Sequence, residues 1–327
     1  MYPIVAVITP TKNRLKLLCE AMDSVQRQSF DAWEHLVVDD GSDDGTAEEV
    51  AKRAAADPRI RYIKRTGDRA GGSICRNLGV RQSRANFIVF LDSDDLLAPH
   101  CLAQRIEVLQ RNPDLDFAVF PGSVFTNAIE DRGHLFSPMK PGSDLDRFLY
   151  LDYPWEITGP IWRRIALEQL GLFSEHLLSW QDVELHIRAL VAGTKYLKFD
   201  VPDHHIRWQY EPTKTSVQQF NSHNHLEKGI EIVKTLHSQV SKAGLINWYR
   251  RRAFGGLIFL LAERWIKNGY LLKGLRVWFT AFRWGFTPLF LHWIGVFILL
   301  LYRLRLLKPQ YNERLLEKFK CAAGFRI

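Results

Sequence analysis

The sequence predicts an α/β protein, an open and mostly parallel sheet flanked by helices, with a helical, basic and hydrophobic C-terminal region. Three observations predict it. Short β-rich apolar runs alternate with helical stretches from the first residues onward, which is the pattern of a doubly wound sheet. Two of the apolar runs end in acidic knots, Asp39-Asp40 and Asp92-Ser93-Asp94-Asp95. Residues 241–327 hold 16 Lys plus Arg against 3 Glu, a balance of +13, so the first 240 residues carry 28 − 33 = −5 of the net +8.

Taken in order, strands are expected at residues 4–9, 35–39, 60–64, 87–91 and 117–120, with helices between them at 15–28, 46–56, 71–83 and 99–111. The turn Gly41-Ser42-Asp43-Asp44-Gly45 supplies small polar residues to cap the helix that follows. After residue 121 the pattern loosens, with Pro121, Gly122, Gly133, Pro138, Pro141 and Gly142 breaking any long element; this stretch is read as an acceptor-binding region or a disordered connection. A helix is expected at 182–191 and a strand at 195–199, and then the helical tail. The expected organisation is one domain over residues 1–220 and a membrane-associating region over 221–327.

A length of 327 residues with 46% hydrophobic and 24% charged residues suffices for a sizeable core without staples. Cys19, Cys75, Cys101 and Cys321 lie far apart and form no zinc or disulfide pattern, so reduced thiols in a cytoplasm are expected. No signal peptide is visible. The basic tail points to an anionic partner. It also carries five of the ten Trp (Trp248, Trp265, Trp278, Trp284 and Trp293) among long apolar runs, and no helix-turn-helix, zinc-finger or RNA-binding signature accompanies it. A membrane surface therefore fits better than nucleic acid. Residues 288–302 form the greasiest segment, yet 15 residues reach only about 22 Å as a helix against a hydrocarbon core of roughly 30 Å. A helix lying in the interface is expected, with a packed core helix or a spanning helix as the other readings.

The chemistry is expected at the acidic strand ends. Residues two apart on a strand share a face, so Asp92 and Asp94 are expected to aim two carboxylates at one point. Hard paired oxygens suit Mg2+ or Mn2+ shared with a phosphate. Open α/β sheets bind ligands where strands end at their carboxyl edge, so the two knots imply one nucleotide-diphosphate site.

Five motifs in order then resemble family 2 glycosyltransferases of the GT-A fold: residues 5–14 (Val-Ala-Val-Ile-Thr-Pro-Thr-Lys-Asn-Arg), residues 38–46, Gly71-Gly72-Ser73-Ile74-Cys75-Arg76-Asn77-Leu78-Gly79, Leu91-Asp92-Ser93-Asp94-Asp95 (a DxD motif), and Trp180-Gln181-Asp182-Val183-Glu184-Leu185. The resemblance covers about residues 3–190. It implies that Asp40 binds the base of a nucleotide, with Pro10 and Thr11 lining that pocket and Asp39 supporting the turn. Asp92 would meet the ribose or the metal shell, Asp94 the divalent cation, and Arg76 the diphosphate. Asp182 would be the general base on the acceptor hydroxyl, with Gln181 in place of the family's Glu, and a single displacement would invert the anomeric carbon.

In the later family pattern a His is expected where Gln209 or Tyr210 stands, near Arg207 and Ser216. At most one of His204 and His205 is expected to turn inward. Trp155, Glu156, Thr158 and Trp162 are guesses for the acceptor pocket, with core packing as the commoner role of such Trp residues. The expected activity is sugar transfer from a nucleotide-diphosphate donor, UDP-sugar favoured, to a glycan or lipid-linked acceptor at the cytoplasmic face of a membrane. The alternatives are a nucleotidyltransferase on a similar sheet, and a non-catalytic membrane-binding protein with a degenerate nucleotide pocket.

Overall fold

The computed structural model describes residues 2–208, 222–304 and 318–319, so the expected domain boundary at 220 lies outside the described residues. The chain forms two compact units, the first of Met1–Lys140, Pro154–His176 and Ala192–Gln209, the second of Pro141–Tyr153, Leu177–Val191 and Tyr210–Ile327.

In the first unit, β1 (Val5–Thr11), β2 (Trp33–Asp39), β3 (Ile60–Lys64) and β4 (Phe87–Phe90) form the parallel half of a seven-stranded sheet. β4 (Phe-Ile-Val-Phe) and the first half of β1 (Val-Ala-Val-Ile) read as unbroken apolar runs and are wholly buried, as central strands of a parallel sheet are. α1 (Leu15–Gln26) buries Leu18, Ala21, Met22 and Val25, one stripe at helical spacing. α2 (Thr46–Ala56) follows a turn in which Gly41 and Gly45 take φ of +89° and +86°, a region L side chains seldom adopt. α3 (Gly72–Gln82) lies against β1 so closely that a Cβ on Gly79 would stand 2.4 Å from Ile8 Cγ2.

β5 (Leu96–Leu97), α4 (Cys101–Arg111), β6 (Phe117–Val119) and β7 (Gly122–Phe125) come next. The stretch after residue 121 is more regular than the sequence suggests. It holds β7, α5 (Asp144–Leu149), β8 (Pro160–Arg163) and α6 (Arg164–Leu170). β8 runs antiparallel between β4 and β6, with Ile161 and Trp162 fully buried; its Pro160 stands at the first position, where no ladder donor is needed. α7 (Gln181–Val191), β9 (Tyr196–Lys198) and β10 (His204–Arg207) complete this half of the chain. The large sheet has the order β3-β2-β1-β4-β8-β6-β9, and β5-β10-β7 form a small second sheet.

In the second unit α5 and α7 join four long helices, α8 (His223–Lys242), α9 (Trp248–Lys267), α10 (Leu271–Arg283) and α11 (Leu289–Leu304). Ser222 caps α8 through the His225 amide, so His223-Asn224-His225 is a helix start. α9 is buried on most sides, with Phe254, Ile258, Phe259 and Trp265 inaccessible. Among the described residues no helix is long and apolar enough to cross a membrane.

Candidate active site

The carboxyl ends of β1, β2 and β4 are neighbours, because β1 pairs with both of the others and the Leu91 amide donates to the Ile8 carbonyl at 3.0 Å. That register brings Pro10, Thr11, Asp39 and Asp40 beside the Asp92–Asp95 segment. The Asp40 amide donates to the Thr11 carbonyl at 2.9 Å, and the buried Thr11 hydroxyl has no hydrogen-bond partner. Asp39 is occupied by its own turn. Its Oδ1 accepts from the Ser42 amide at 3.0 Å and hydroxyl at 2.6 Å, and its Oδ2 from the Tyr62 hydroxyl at 2.7 Å. Burial and this hydrogen bond push the Tyr62 phenol up to about 12.

Three carboxylates each meet an arginine. Asp40 pairs with Arg65 and accepts from the Gly71 amide at 3.0 Å. Asp92 Oδ1 accepts from Arg76 Nη2 at 2.6 Å, and Asp94 Oδ2 from Arg14 Nη1 at 3.0 Å. Arg76 projects from the first turns of α3, is almost buried, and has an unpartnered Nε. Asp92 and Asp94 do not stand on a strand as expected. β4 stops at Phe90, and the Asp95 amide donates to the Asp92 carbonyl at 3.1 Å, so these residues form a turn and the two-residue alternation does not apply. The turn sends the two carboxylates to different arginines.

Asp95 anchors this turn from below. Its Oδ1 accepts from the Arg207 amide at 2.9 Å, while Arg207 Nε donates to the Asp94 carbonyl at 2.9 Å and Nη2 to Glu20 at 2.6 Å. Burial above all, with the charges of Asp94 and Asp92 added, drives the Asp95 carboxyl far above the usual carboxylate range. β10 also carries His204 inward and His205 outward, toward the Ser123 hydroxyl at 2.6 Å. His204 contacts Glu156 and Asp203, and Asp203 takes both Arg105 Nε and Nη2 at 2.7 Å with no exposure on either side chain. Burial alone would push His204 down, but the carboxylates of Glu156 and Asp203 prevail and raise it to about 9. Trp155 and Trp162 pack with Phe117 in the core and Thr158 is fully buried; Glu156 joins the buried network of Arg105, Asp203 and His204 by its side chain and Thr158 by its carbonyl.

Asp182 belongs to the second unit, in the first turn of α7, where a helix N-terminus favours a carboxylate. Its charge adds to burial in raising the Tyr153 hydroxyl. α7 is held by Glu184, which binds Arg188 through two bonds of 2.9 Å and accepts from Gln239 of α8 at 2.6 Å. Gln209, Tyr210 and Ser216 lie outside the described residues.

The arginine partners Arg14 and Arg65 were missed as site residues, while Arg207 was placed only in the later family pattern. Arg14 stands in the first quoted motif and Arg65 just past the end of β3, the two signals that could have found them. Among the described residues no three His, Cys, Asp or Glu side chains group to hold a metal ion. The Asp92 and Asp94 carboxylates are hard oxygen donors of the type Mg2+ takes together with phosphate oxygens and water.

These carboxylates and arginines gather at the carboxyl edge of an open, mostly parallel sheet, where α/β proteins bind their ligands. The chain belongs to glycosyl transferase family 2, whose description matches residues 6–171. The GalNAc(5)-diNAcBac-PP-undecaprenol beta-1,3-glucosyltransferase of Campylobacter jejuni is 35% identical over 134 residues, 41% of each chain. A glycosyltransferase of Rickettsia bellii without assigned function is 30% identical over 195 residues, 58% of this chain and 27% of its own length. The matched region thus spans about a quarter of that relative. Among solved structures, S. aureus TarS 1-349 with UDP-GlcNAc superposes with a TM-score of 0.63 at 18% identity, over 85% of this chain and 79% of that one. The Pyrobaculum calidifontis mannosyltransferase PcManGT with GDP-Man and Mn2+ gives 0.52 at 18% identity, over 93% and 88%. The fold is GT-A.

Proposed function

We propose that this chain is a glycosyltransferase that moves a sugar from a nucleotide-diphosphate donor, UDP-sugar favoured, to a glycan or lipid-linked acceptor at the cytoplasmic face of a membrane. The observation that carries the reading is the convergence of Asp40, Asp92 and Asp94, each with its arginine, at the carboxyl ends of β1, β2 and β4. The relatives lend support: one is named for transfer onto a PP-undecaprenol carrier and another, TuaG of Bacillus subtilis, for teichuronic acid biosynthesis.

In this reading Asp40 and the unpartnered Thr11 hydroxyl recognise the nucleotide, while Asp39 keeps the turn. Arg76 and Arg14 turn toward the diphosphate when it arrives, exchanging carboxylate partners for phosphate oxygens. Asp92 and Asp94 would hold Mg2+ or Mn2+, which supplies Lewis-acid charge neutralisation for the departing diphosphate. Asp182 takes the proton of the acceptor hydroxyl as that oxygen attacks, giving inversion; this role follows from the Trp180-Gln181-Asp182 pattern.

A thermal-shift titration with UDP, GDP, CDP and dTDP, each with Mn2+ or with chelator, tests the donor site. Metal-dependent stabilisation by one nucleotide is expected, and Asp182→Asn should keep that shift while losing transfer by at least about a hundredfold. Absence of any shift would move the assignment to the membrane-binding alternative. Pyrophosphate release from a nucleoside triphosphate would move it to nucleotidyl transfer.

A further inference from the structure

Among the described residues, α10 and α11 present an exposed apolar surface. On α10 the exposed residues are Leu272, Arg276, Phe279 and Arg283, spaced i, i+4, i+7 and i+11 along one face, with Val277, Trp278 and Ala281 buried on the other. α11 is apolar on both sides. Leu291, Ile298 and Leu299 are buried, whereas Phe290, Trp293 and Phe297 are each more than 60% exposed. Trp278 joins the two helices by donating to the His292 carbonyl at 3.0 Å and by filling the space a Cβ on Gly295 would need. The exposed residues of the two helices lie close together, since the buried His292 ring stands 5.7 Å from Phe279 and 6.1 Å from Trp293.

The charge on this face selects its partner. From Leu271 to Leu304 the chain has no Asp or Glu and four basic residues, Lys273, Arg276, Arg283 and Arg303. An isologous contact between two copies would bring Arg276 and Arg283 of both together with no carboxylate from this stretch to offset them. An anionic lipid surface offers apolar depth and negative headgroups at once. α11 has 16 residues, about 24 Å of helix against roughly 30 Å of hydrocarbon, and one of its sides is already packed. It therefore fits a bilayer lying flat.

We infer, resting on the membrane-surface part of the proposed function, that the face formed by Phe279, Phe290, Trp293 and Phe297 with Arg276 and Arg283 docks on an anionic bilayer. The aromatic rings enter the boundary between headgroups and acyl chains, and the arginines stay at phosphate level with their stems against the apolar surface. Each arginine held there strengthens binding about fivefold.

The test is co-sedimentation of the full chain with phosphatidylcholine vesicles, with and without phosphatidylglycerol, alongside the nucleotide thermal shift on the same samples. The wild type should bind the phosphatidylglycerol vesicles and release as salt is raised. Arg276→Glu/Arg283→Glu should lose at least about tenfold of that binding, and Trp293→Ser/Phe297→Ser should weaken binding to both vesicle types, with the nucleotide shift unchanged in each. Wild-type binding retained by both variants would overturn the assigned face. No vesicle binding by the wild type would overturn the membrane-surface reading itself, whatever the nucleotide shift shows. A wild-type dimer that becomes monomeric in Trp293→Ser/Phe297→Ser, with vesicle binding unaffected, would assign the face to a second copy instead.

Discussion

Arg14 Nη1 and Asp94 Oδ2 stand 3.0 Å apart across 80 residues of chain, so the carboxylate proposed to hold the divalent cation is held by an arginine. A cation and Arg14 compete for the same oxygen. Arg14→Gln should therefore tighten Mn2+ binding in the absence of nucleotide by about three- to tenfold, the worth of a partly exposed pair of about 1 kcal/mol. The same variant should weaken binding of Mn2+ with UDP. Titration calorimetry reads both, and equal Mn2+ affinity in the two proteins would show that Arg14 does not guard Asp94.

The His204 imidazole sits between Glu156 and Asp203 and is raised from 6.5 to about 9. A raised folded-state value means that its stabilisation is complete below about 6.5 and is lost as pH climbs through about 9. Unfolding free energy should fall by on the order of 3 kcal/mol across that window. In His204→Gln the fall should flatten, and urea midpoints at several pH values would show it.

Arg105 and Asp203 are fully buried partners, and Arg105 Nη1 also donates to the Thr158 carbonyl at 2.7 Å. Removing one charge strands the other in a low dielectric. Arg105→Met should cost about 3–5 kcal/mol, and the double change Arg105→Met/Asp203→Asn should cost less than the two single changes added together. Additive losses in chemical denaturation would mean the pair is not coupled.

Gly79 lets α3 approach β1, and Arg76 lies one turn earlier on the same helix. Gly79→Ala should destabilise by about 1–3 kcal/mol through overpacking against Ile8. It should also reduce the nucleotide thermal shift by moving Arg76. An unchanged midpoint in urea would mean α3 can shift at no cost.

Much of the first unit was legible because its signals are local. β1 to β4 and their helices announce themselves by apolar runs and helical spacing, and β3 and α2 have the expected limits of residues 60–64 and 46–56. β5, β7, β8 and β10 are two to four residues long, too short to carry a period, and they exist through pairing with distant strands. Arg65 became visible only as the partner of Asp40, 25 residues away, and the bond of Arg207 to the Asp94 carbonyl spans 113 residues. No window along the chain contains both members of such a pair.

By itself the sequence determined the α/β class, the family through its ordered motifs, the acidic strand ends and the basic aromatic tail, because each is written in neighbouring residues. Tertiary structure alone decided that Asp92 and Asp94 lie on a turn, that Asp39 is spent on Ser42 and Tyr62, and that one side of α11 is packed while the other is open. The physical reason is common to all three. Which partner a charged or apolar side chain finds depends on contacts between remote segments, and those exist only once the chain has folded.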